Sequence, residues 1–349
     1  MSPSILRSPK MLLEPAPSGI RGYYVSLKTT VRWKTTWTIV LMKQGSSYPE
    51  IFLLTGLSSQ PHMRLVLFVV FSILYLITIL GNGLIVLLTI ADSHLQTPMY
   101  FFLGNLSLVD ICYTSSTIPQ MLAHSFTKRP TITNARCFIQ MCISLFLGVA
   151  ECILLAVMAY DRYVAICSPL HYTLIMNRKM CGWLAAISWV LAFLLTVVPS
   201  FAMKIQLCGH NVIDHFMCEV QAVVKLACSD ISANVGLMSG SSVFTLLVPF
   251  AFILVTYGRI SVTVLRIRSE QSWKKALSTC GSHLTVVGIF YGTAMVMYLR
   301  PQSRSSEQDK YLAIMYVVVT PMLNPLIYSL RNKDVKLALG RIMGGKKGT

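Results

Sequence analysis

The sequence predicts an all-α membrane protein: a seven-transmembrane helix bundle with a short C-terminal amphipathic helix. Of its 349 residues, 54% are hydrophobic and only 12% charged, about half the charged fraction of an ordinary soluble domain. Mean hydropathy is +0.62. Seven apolar stretches each reach the roughly 20 residues that a helix needs to cross a bilayer. This composition excludes disorder and argues against a soluble globular enzyme.

The stretches run from Leu65 to Ile90, Pro98 to Leu122, Cys137 to Tyr163, Cys181 to Ala202, Ser232 to Val262, Ala276 to Leu299 and Tyr311 to Leu330. Connectors such as Thr127-Lys128-Arg129-Pro130 and Arg300-Pro301-Gln302-Ser303-Arg304 separate them by charge and proline. The chain therefore divides into an N-terminal tail (1–49), a seven-span domain (50–331) and a C-terminal segment (332–349). In the last, Val335, Leu337, Leu339 and Ile342 are spaced among Lys and Arg from Asn332 to Met343, the pattern of a helix lying on the inner leaflet.

An odd number of spans puts the termini on opposite sides. Lys and Arg follow spans three, five and seven: Arg178 and Lys179, then Arg266, Arg268, Lys274 and Lys275, then Arg331, Lys333, Lys336 and Arg341. The opposite loops interleave their basic residues with Asp214, Glu219, Asp230, Glu307 and Asp309. Positive charge marks the cytoplasmic side, so the C-terminus is expected inside and the N-terminus outside. The net charge of +17 then reads as topology, because no separate basic domain exists to bind nucleic acid. The basic tail, Arg7 to Lys43 with the single acid Glu14, lies more than about 20 residues from Leu65, beyond the range that sets orientation.

Six cysteines (Cys112, Cys142, Cys152, Cys167, Cys181 and Cys280) fall in or at the ends of spans, where a thiol acts as a small buried hydrophobe. Cys137, Cys208, Cys218 and Cys228 fall on the outer side, where oxidising conditions favour disulfides; four cysteines allow three pairings. A metal site is the competing reading, disfavoured by the lack of a CxxC pair.

Charges within spans are costly and mark function. Asp110 lies in span two and Glu151 in span three; facing the bundle interior, they would offer oxygen ligands to a hard cation or share a proton. Hydrogen-bonded core groups are the plainer alternative. Span three ends in Met158-Ala159-Tyr160-Asp161-Arg162-Tyr163-Val164-Ala165-Ile166-Cys167, with an adjacent Asp and Arg at the cytoplasmic boundary. Span seven ends in Pro321-Met322-Leu323-Asn324-Pro325-Leu326-Ile327-Tyr328, where Pro325 removes a helix hydrogen bond and predicts a kink.

With these motifs in place, the chain resembles the rhodopsin-like (class A) G-protein-coupled receptors and, within them, the odorant receptors. The narrower resemblance rests on Thr97-Pro98-Met99-Tyr100-Phe101-Phe102-Leu103, Met158 to Cys167, Ser168-Pro169-Leu170-His171-Tyr172, Lys275 to Leu284, Phe290-Tyr291-Gly292 and Pro321 to Asn332. These motifs cover about Glu50 to Lys336.

The resemblance implies an odorant receptor that binds a small, uncharged, partly hydrophobic volatile molecule. It implies activation of a heterotrimeric stimulatory olfactory G-protein, raising cyclic AMP. Cys137 would pair with Cys218, and Cys208 with Cys228. Asp110 and Glu151 match the family's inner sodium site, and Asn82 and Asn324 its polar network. Asp161, Arg162 and Tyr163 match the coupling motif; Tyr257 and Tyr328 match tyrosines that support Arg162 on activation, with Asn324 and Pro325 in the moving segment of span seven. The odorant pocket is implied between spans three, five, six and seven. Its matching positions are Ser144, Leu145, Gly148 and Val149, then Ser241 and Thr245, then Tyr291, Ala294, Met295 and Tyr298. For each, ordinary helix packing is the alternative.

The chain departs from the family in its long tail and in lacking an Asn-x-Ser/Thr site before Glu50. Its sequon Asn105-Leu106-Ser107 lies within span two. Residues 1–41 are therefore expected to be an upstream extension, with Met42 near the family's usual start; mass spectrometry of the surface protein would find no peptides from Arg7 to Lys34. A non-olfactory class A receptor and an ion transporter or channel are the competing classes. An enzyme is disfavoured, since no nucleophile–base pair, metal spacing or phosphate loop stands out.

Overall fold

A computed structural model describes residues 50–202, 207, 211–228, 232–266, 270–299, 306–330 and 333–343. The tail (1–49), Cys208 and Arg268 lie outside the described residues, as do the side chains of Lys274 and Lys275. The helices are α1 (Pro61–Ala91), α2 (Pro98–His124), α3 (Asn134–Cys167), α4 (Arg178–Ala202), α5 (Ser232–Leu265), α6 (Glu270–Tyr298), α7 (helical from Ser306 to Leu330) and α8 (Lys333–Met343). The expected spans lie within them, apart from Leu299 just past α6, and most helices run a few residues longer because local chemistry sets their ends. Pro61 and Pro98 start α1 and α2 with a residue whose missing N–H costs nothing there. Thr133 caps α3 by accepting from the Arg136 amide at 3.4 Å, and Asn177 caps α4 through Met180 at 3.0 Å.

Six of these helices are long and apolar enough to cross a membrane. Helix α2 is not among them; it packs largely against protein, with Phe102, Leu106, Val109, Asp110 and Ile118 fully buried, while Phe101 and Leu108 remain exposed. It packs beside α1 and α3, and α3 in turn contacts α4 and α5. The outward faces of α1, α4 and α5 instead carry exposed Leu80, Ile90, Trp183 and Val255, as a bilayer requires.

Two features depart from the sequence expectation. A three-stranded sheet caps the outer end: β1 (Ile51–Leu54) lies between β2 (Thr131–Thr133), antiparallel with Phe52 opposite Ile132, and β3 (Val212–Ile213), parallel with Leu53 opposite Val212. Phe52, Leu54, Ile132 and Ile213 form a small core with Cys137 and Cys218. Gly56 then turns the chain at a φ of +72°, a conformation that a side chain would oppose. In α7, the irregularity precedes the proline: Met315–Val319 form a π turn, while Pro325 sits inside the regular helix Thr320–Leu330. The carbonyl that Pro325 leaves without its helical partner, that of Pro321, accepts from Asn82 Nδ2 at 2.9 Å. A neighbouring helix thus satisfies the group that would otherwise force a break.

Helix α8 turns Val335 and Ala338 inward, whereas Leu337, expected on the apolar face, is 60% exposed. Arg341 Nε and Nη2 both donate to Asp92 Oδ2, at 2.9 and 2.6 Å, tying α8 to the loop after α1. This contact holds the Asp92 carboxyl below the usual range, with the His94 amide adding to it.

Candidate functional site: an outer cavity and a polar interior

Beneath the loop that precedes α5, a cavity of about 100 Å³ lies against α3, α4 and α5. Leu145, Val149, Ser241, Thr245 and Tyr298 of the expected pocket line it. Helix α4 supplies Leu195, Thr196, Pro199 and Ser200, and the loop supplies Val220 and Gln221. The wall is therefore α4, where the sequence reading has span seven. Gly148 has no atom within 4 Å of where a Cβ would stand, so it leaves space and makes no close helix contact. The others sit elsewhere: Ser144 is buried with no partner for its hydroxyl, and Ala294 and Met295 pack in the main core. The Tyr291 hydroxyl donates to the Cys152 carbonyl at 2.9 Å.

Five of the cavity's seven hydroxyls already give away their protons. Thr196 donates to the Ala192 carbonyl, Ser200 to that of Thr196, Ser241 to that of Met238 and Thr245 to that of Ser241. Tyr298 donates to Glu219 Oε1 at 3.1 Å, and Tyr316 to Glu219 Oε2 at 3.0 Å. What they leave open are acceptor lone pairs.

Glu219 was not singled out in the sequence, although an acid inside the apolar run from Phe216 to Val224 is a legible anomaly. Burial holds its carboxyl above the usual range, opposed by the hydroxyls of Tyr316 and Tyr298. The loop is pinned on every side. A disulfide joins Cys137 to Cys218, with Cα atoms 5.3 Å apart. Gln140 Oε1 accepts from the Cys218 amide at 3.0 Å, and Gln221 donates to the Met297 carbonyl at 3.1 Å. Lys310 pairs with Asp214 at 2.8 Å and Glu307 at 3.1 Å, and Lys225 with Asp309 at 3.2 Å. His215 Nδ1 accepts from the Met217 amide at 3.2 Å. Its pKa is pulled down to about 4, by burial and then by the Lys310 charge. Cys228 is disulfide-bonded, while its expected partner Cys208 lies outside the described residues.

Deeper in the bundle, Asp110 and Glu151 are both fully buried and close enough to repel one another. Asn324 Nδ2 donates to both Asp110 oxygens, at 3.1 and 3.0 Å. Both Glu151 oxygens and the Asn324 Oδ1 have no hydrogen-bond partner. This is a set of hard oxygen donors of the kind that sodium takes, and its two carboxylates call for a compensating cation or proton.

At the cytoplasmic end, Asp161 accepts the Tyr172 hydroxyl at 2.8 Å. Among the described residues Arg162 forms no ion pair, with Asp161 or any other acid. Tyr163 stacks on Tyr160. Tyr257 bonds to His283 Nδ1 at 2.9 Å, a partner that the sequence reading missed although His283 lies in one of its motifs. The Tyr328 hydroxyl is buried without a partner. Asn105 of the sequon accepts from the Trp189 indole at 3.2 Å and donates to the Phe101 carbonyl, which makes it a helix-packing residue.

Residues 71–346 match the family model described as "Olfactory receptor". Human olfactory receptor 13H1 is 50% identical over 84% of this chain and 95% of its own length. Human olfactory receptor 2K2 is 49% identical over 86% and 96%, and mouse olfactory receptor 2C1 is 48% identical over 85% and 96%. With the bundle and its motifs in the places described, the chain belongs to the olfactory receptor family of rhodopsin-like G-protein-coupled receptors.

Proposed function

We propose that this receptor binds a small, uncharged, partly hydrophobic volatile molecule in the outer cavity and activates a stimulatory olfactory G-protein, raising cyclic AMP. Family membership makes the chain a non-catalytic, multi-pass plasma-membrane receptor, N-terminus outside and C-terminus in the cytoplasm, in a family that binds odorants and signals through G-proteins. Helix α2 is the seventh span; the face that carries Asp110 packs against protein. Helix α8 lies on the inner leaflet.

The observation that carries the ligand reading is the lining: apolar side chains and hydroxyls, with no charged side chain among the described lining residues. A pocket for a drug-sized ligand is about 300–1,000 Å³, so this one favours a small molecule. Since five of its seven lining hydroxyls have already committed their protons, acceptor lone pairs outnumber donors there, so a ligand with an O–H or N–H donor is favoured and an alcohol should outperform its methyl ether. The ligand shifts the receptor toward the active arrangement by its difference in affinity for the two states. Asp161, Arg162, Tyr163, Tyr257, Asn324, Pro325 and Tyr328 carry that shift to the cytoplasmic face, where Arg162 meets the G-protein. Asp110 and Glu151 hold a sodium ion, which would supply the positive charge that their burial requires. Cys208 pairs with Cys228.

A cyclic AMP assay in cells supplied with the olfactory G-protein tests this reading. Arg162→Ala abolishes the odorant response at equal surface expression; equal signalling by that variant would remove Arg162 from its role.

A further inference from the structure

At the other end of α4 from the outer cavity, a groove of about 690 Å³ runs between α1, α2 and the start of α4, in the cytoplasmic half. Its walls are apolar, formed by Val86, Ile90, Phe101 and Leu108, of which Ile90 is 72% exposed. Its floor is the close approach of α1 and α2, where a Cβ on Gly104 would stand 3.2 Å from the Thr89 hydroxyl. This face of a multi-pass protein is immersed in the bilayer, so lipid is what fills it.

The mouth selects which lipid. Several polar groups there are engaged: Tyr172 donates to Asp161, and Asn177 donates to the Leu174 carbonyl while capping α4; the Thr97 and Thr173 hydroxyls also line the groove but carry no charge. Among the described residues Arg178 reaches only the Gln96 side-chain oxygen, at 3.4 Å, and no carboxylate lines the groove. Asp92 and Asp161, the acids of the adjoining loop and helix end, already have Arg341 and Tyr172 as partners. Lys179 stands exposed beside Arg178. A guanidinium with unused donors, at headgroup level in the leaflet that carries anionic lipid, matches a phosphate oxygen.

We propose that this groove is an inner-leaflet site for an anionic phospholipid, with an acyl chain along α1 and α2 and the net-negative headgroup on Arg178, where a choline's own positive charge would offset the same phosphate. The proposal depends on the membrane topology and not on the odorant or G-protein reading.

Native mass spectrometry of the full receptor, released from phosphatidylcholine nanodiscs containing a minor fraction of phosphatidylserine, measures the preference. Phosphatidylserine should be retained over phosphatidylcholine, and Arg178→Gln should lower that enrichment about fivefold, while Lys128→Gln on the outer loop leaves it unchanged. Equal retention of the two lipids, or an enrichment unmoved by Arg178→Gln, would overturn the proposal. Photo-crosslinking the wild-type receptor with phosphatidylserine carrying a diazirine acyl chain gives a test that needs no variant. Label on residues 86–108 supports the site, whereas label confined elsewhere, or displaced by cholesterol and not by phosphatidylserine, defeats it.

Discussion

At the outer end Asp214 accepts from Thr55 at 2.6 Å and pairs with Lys310, Glu219 takes two tyrosine hydroxyls, and a disulfide holds the loop to α3. In the bundle interior, Glu151, the carbonyl oxygens of Asn82 and Asn324, and the Tyr328 hydroxyl are buried without partners. The lid is largely satisfied, although His215 Nε2 is buried there without a partner. The interior column has groups whose best partners are missing in this arrangement, and such groups favour a second arrangement or a bound ion. In the proposed function, the region that recognises the ligand is the locked one, and the region that transmits the signal is left with somewhere to go.

The largest expected effect comes from unlocking the lid. The Cys137–Cys218 bond closes a loop with a sequence separation of 81, and chain-entropy reasoning assigns such a crosslink about 4 kcal/mol. Cys137→Ser should abolish surface delivery and odorant response, measured by surface immunostaining beside cyclic AMP. Normal delivery and response would show that the hydrogen bonds and ion pairs hold the lid unaided.

Two smaller changes probe the interior. A Cβ at Gly81 would stand 3.0 Å from the Pro325 ring, so Gly81→Val should cost about 1–3 kcal/mol by overpacking α1 against α7. The readout is thermal unfolding in detergent, and an unshifted midpoint would mean that the two helices part freely. Replacing sodium with N-methylglucamine should lower the wild-type midpoint. At sodium ten times its dissociation constant the difference is about 1.4 kcal/mol, and Glu151→Gln should erase it. A sodium response that survives in that variant would place the ion elsewhere.

Much of this contrast was legible beforehand. Asp110, Glu151 and Asn324 announce themselves because polar groups within apolar spans are costly, and helical periods fix the spans to within a few residues. The lid was less legible. Strands of two to four residues, such as Val212–Ile213, carry too little periodicity to register, and their pairing partners lie in three separate loops. The wall supplied by Thr196 and Ser200 was missed because a lone hydroxyl in an apolar span reads as ordinary packing; Ser241 and Thr245, which bond their own backbone in the same way, were named only through the family resemblance. The π turn at Met315–Val319 has no composition of its own; it exists where α7 carries Tyr316, whose hydroxyl meets Glu219.

The smallest effect tests the lid by pH. His215 titrates near 4 in the fold and near 6.5 when unfolded, so the unfolded chain binds the extra proton as pH falls between these values. Stability from neutral His215 is full above about 6.5 and is lost toward 4, reaching about 1 kcal/mol of loss by pH 5.5. Glu219 works in the opposite sense: its carboxyl is raised in the fold, so the folded state takes up a proton before the unfolded one does, and acid stabilises it. Each variant is best compared with its own midpoint at neutral pH. His215→Gln should flatten the acid loss, and Glu219→Gln should steepen it. If both variants follow the wild-type profile, acid sensitivity arises outside the lid, and the locked region is indifferent to the protons at its own buried groups.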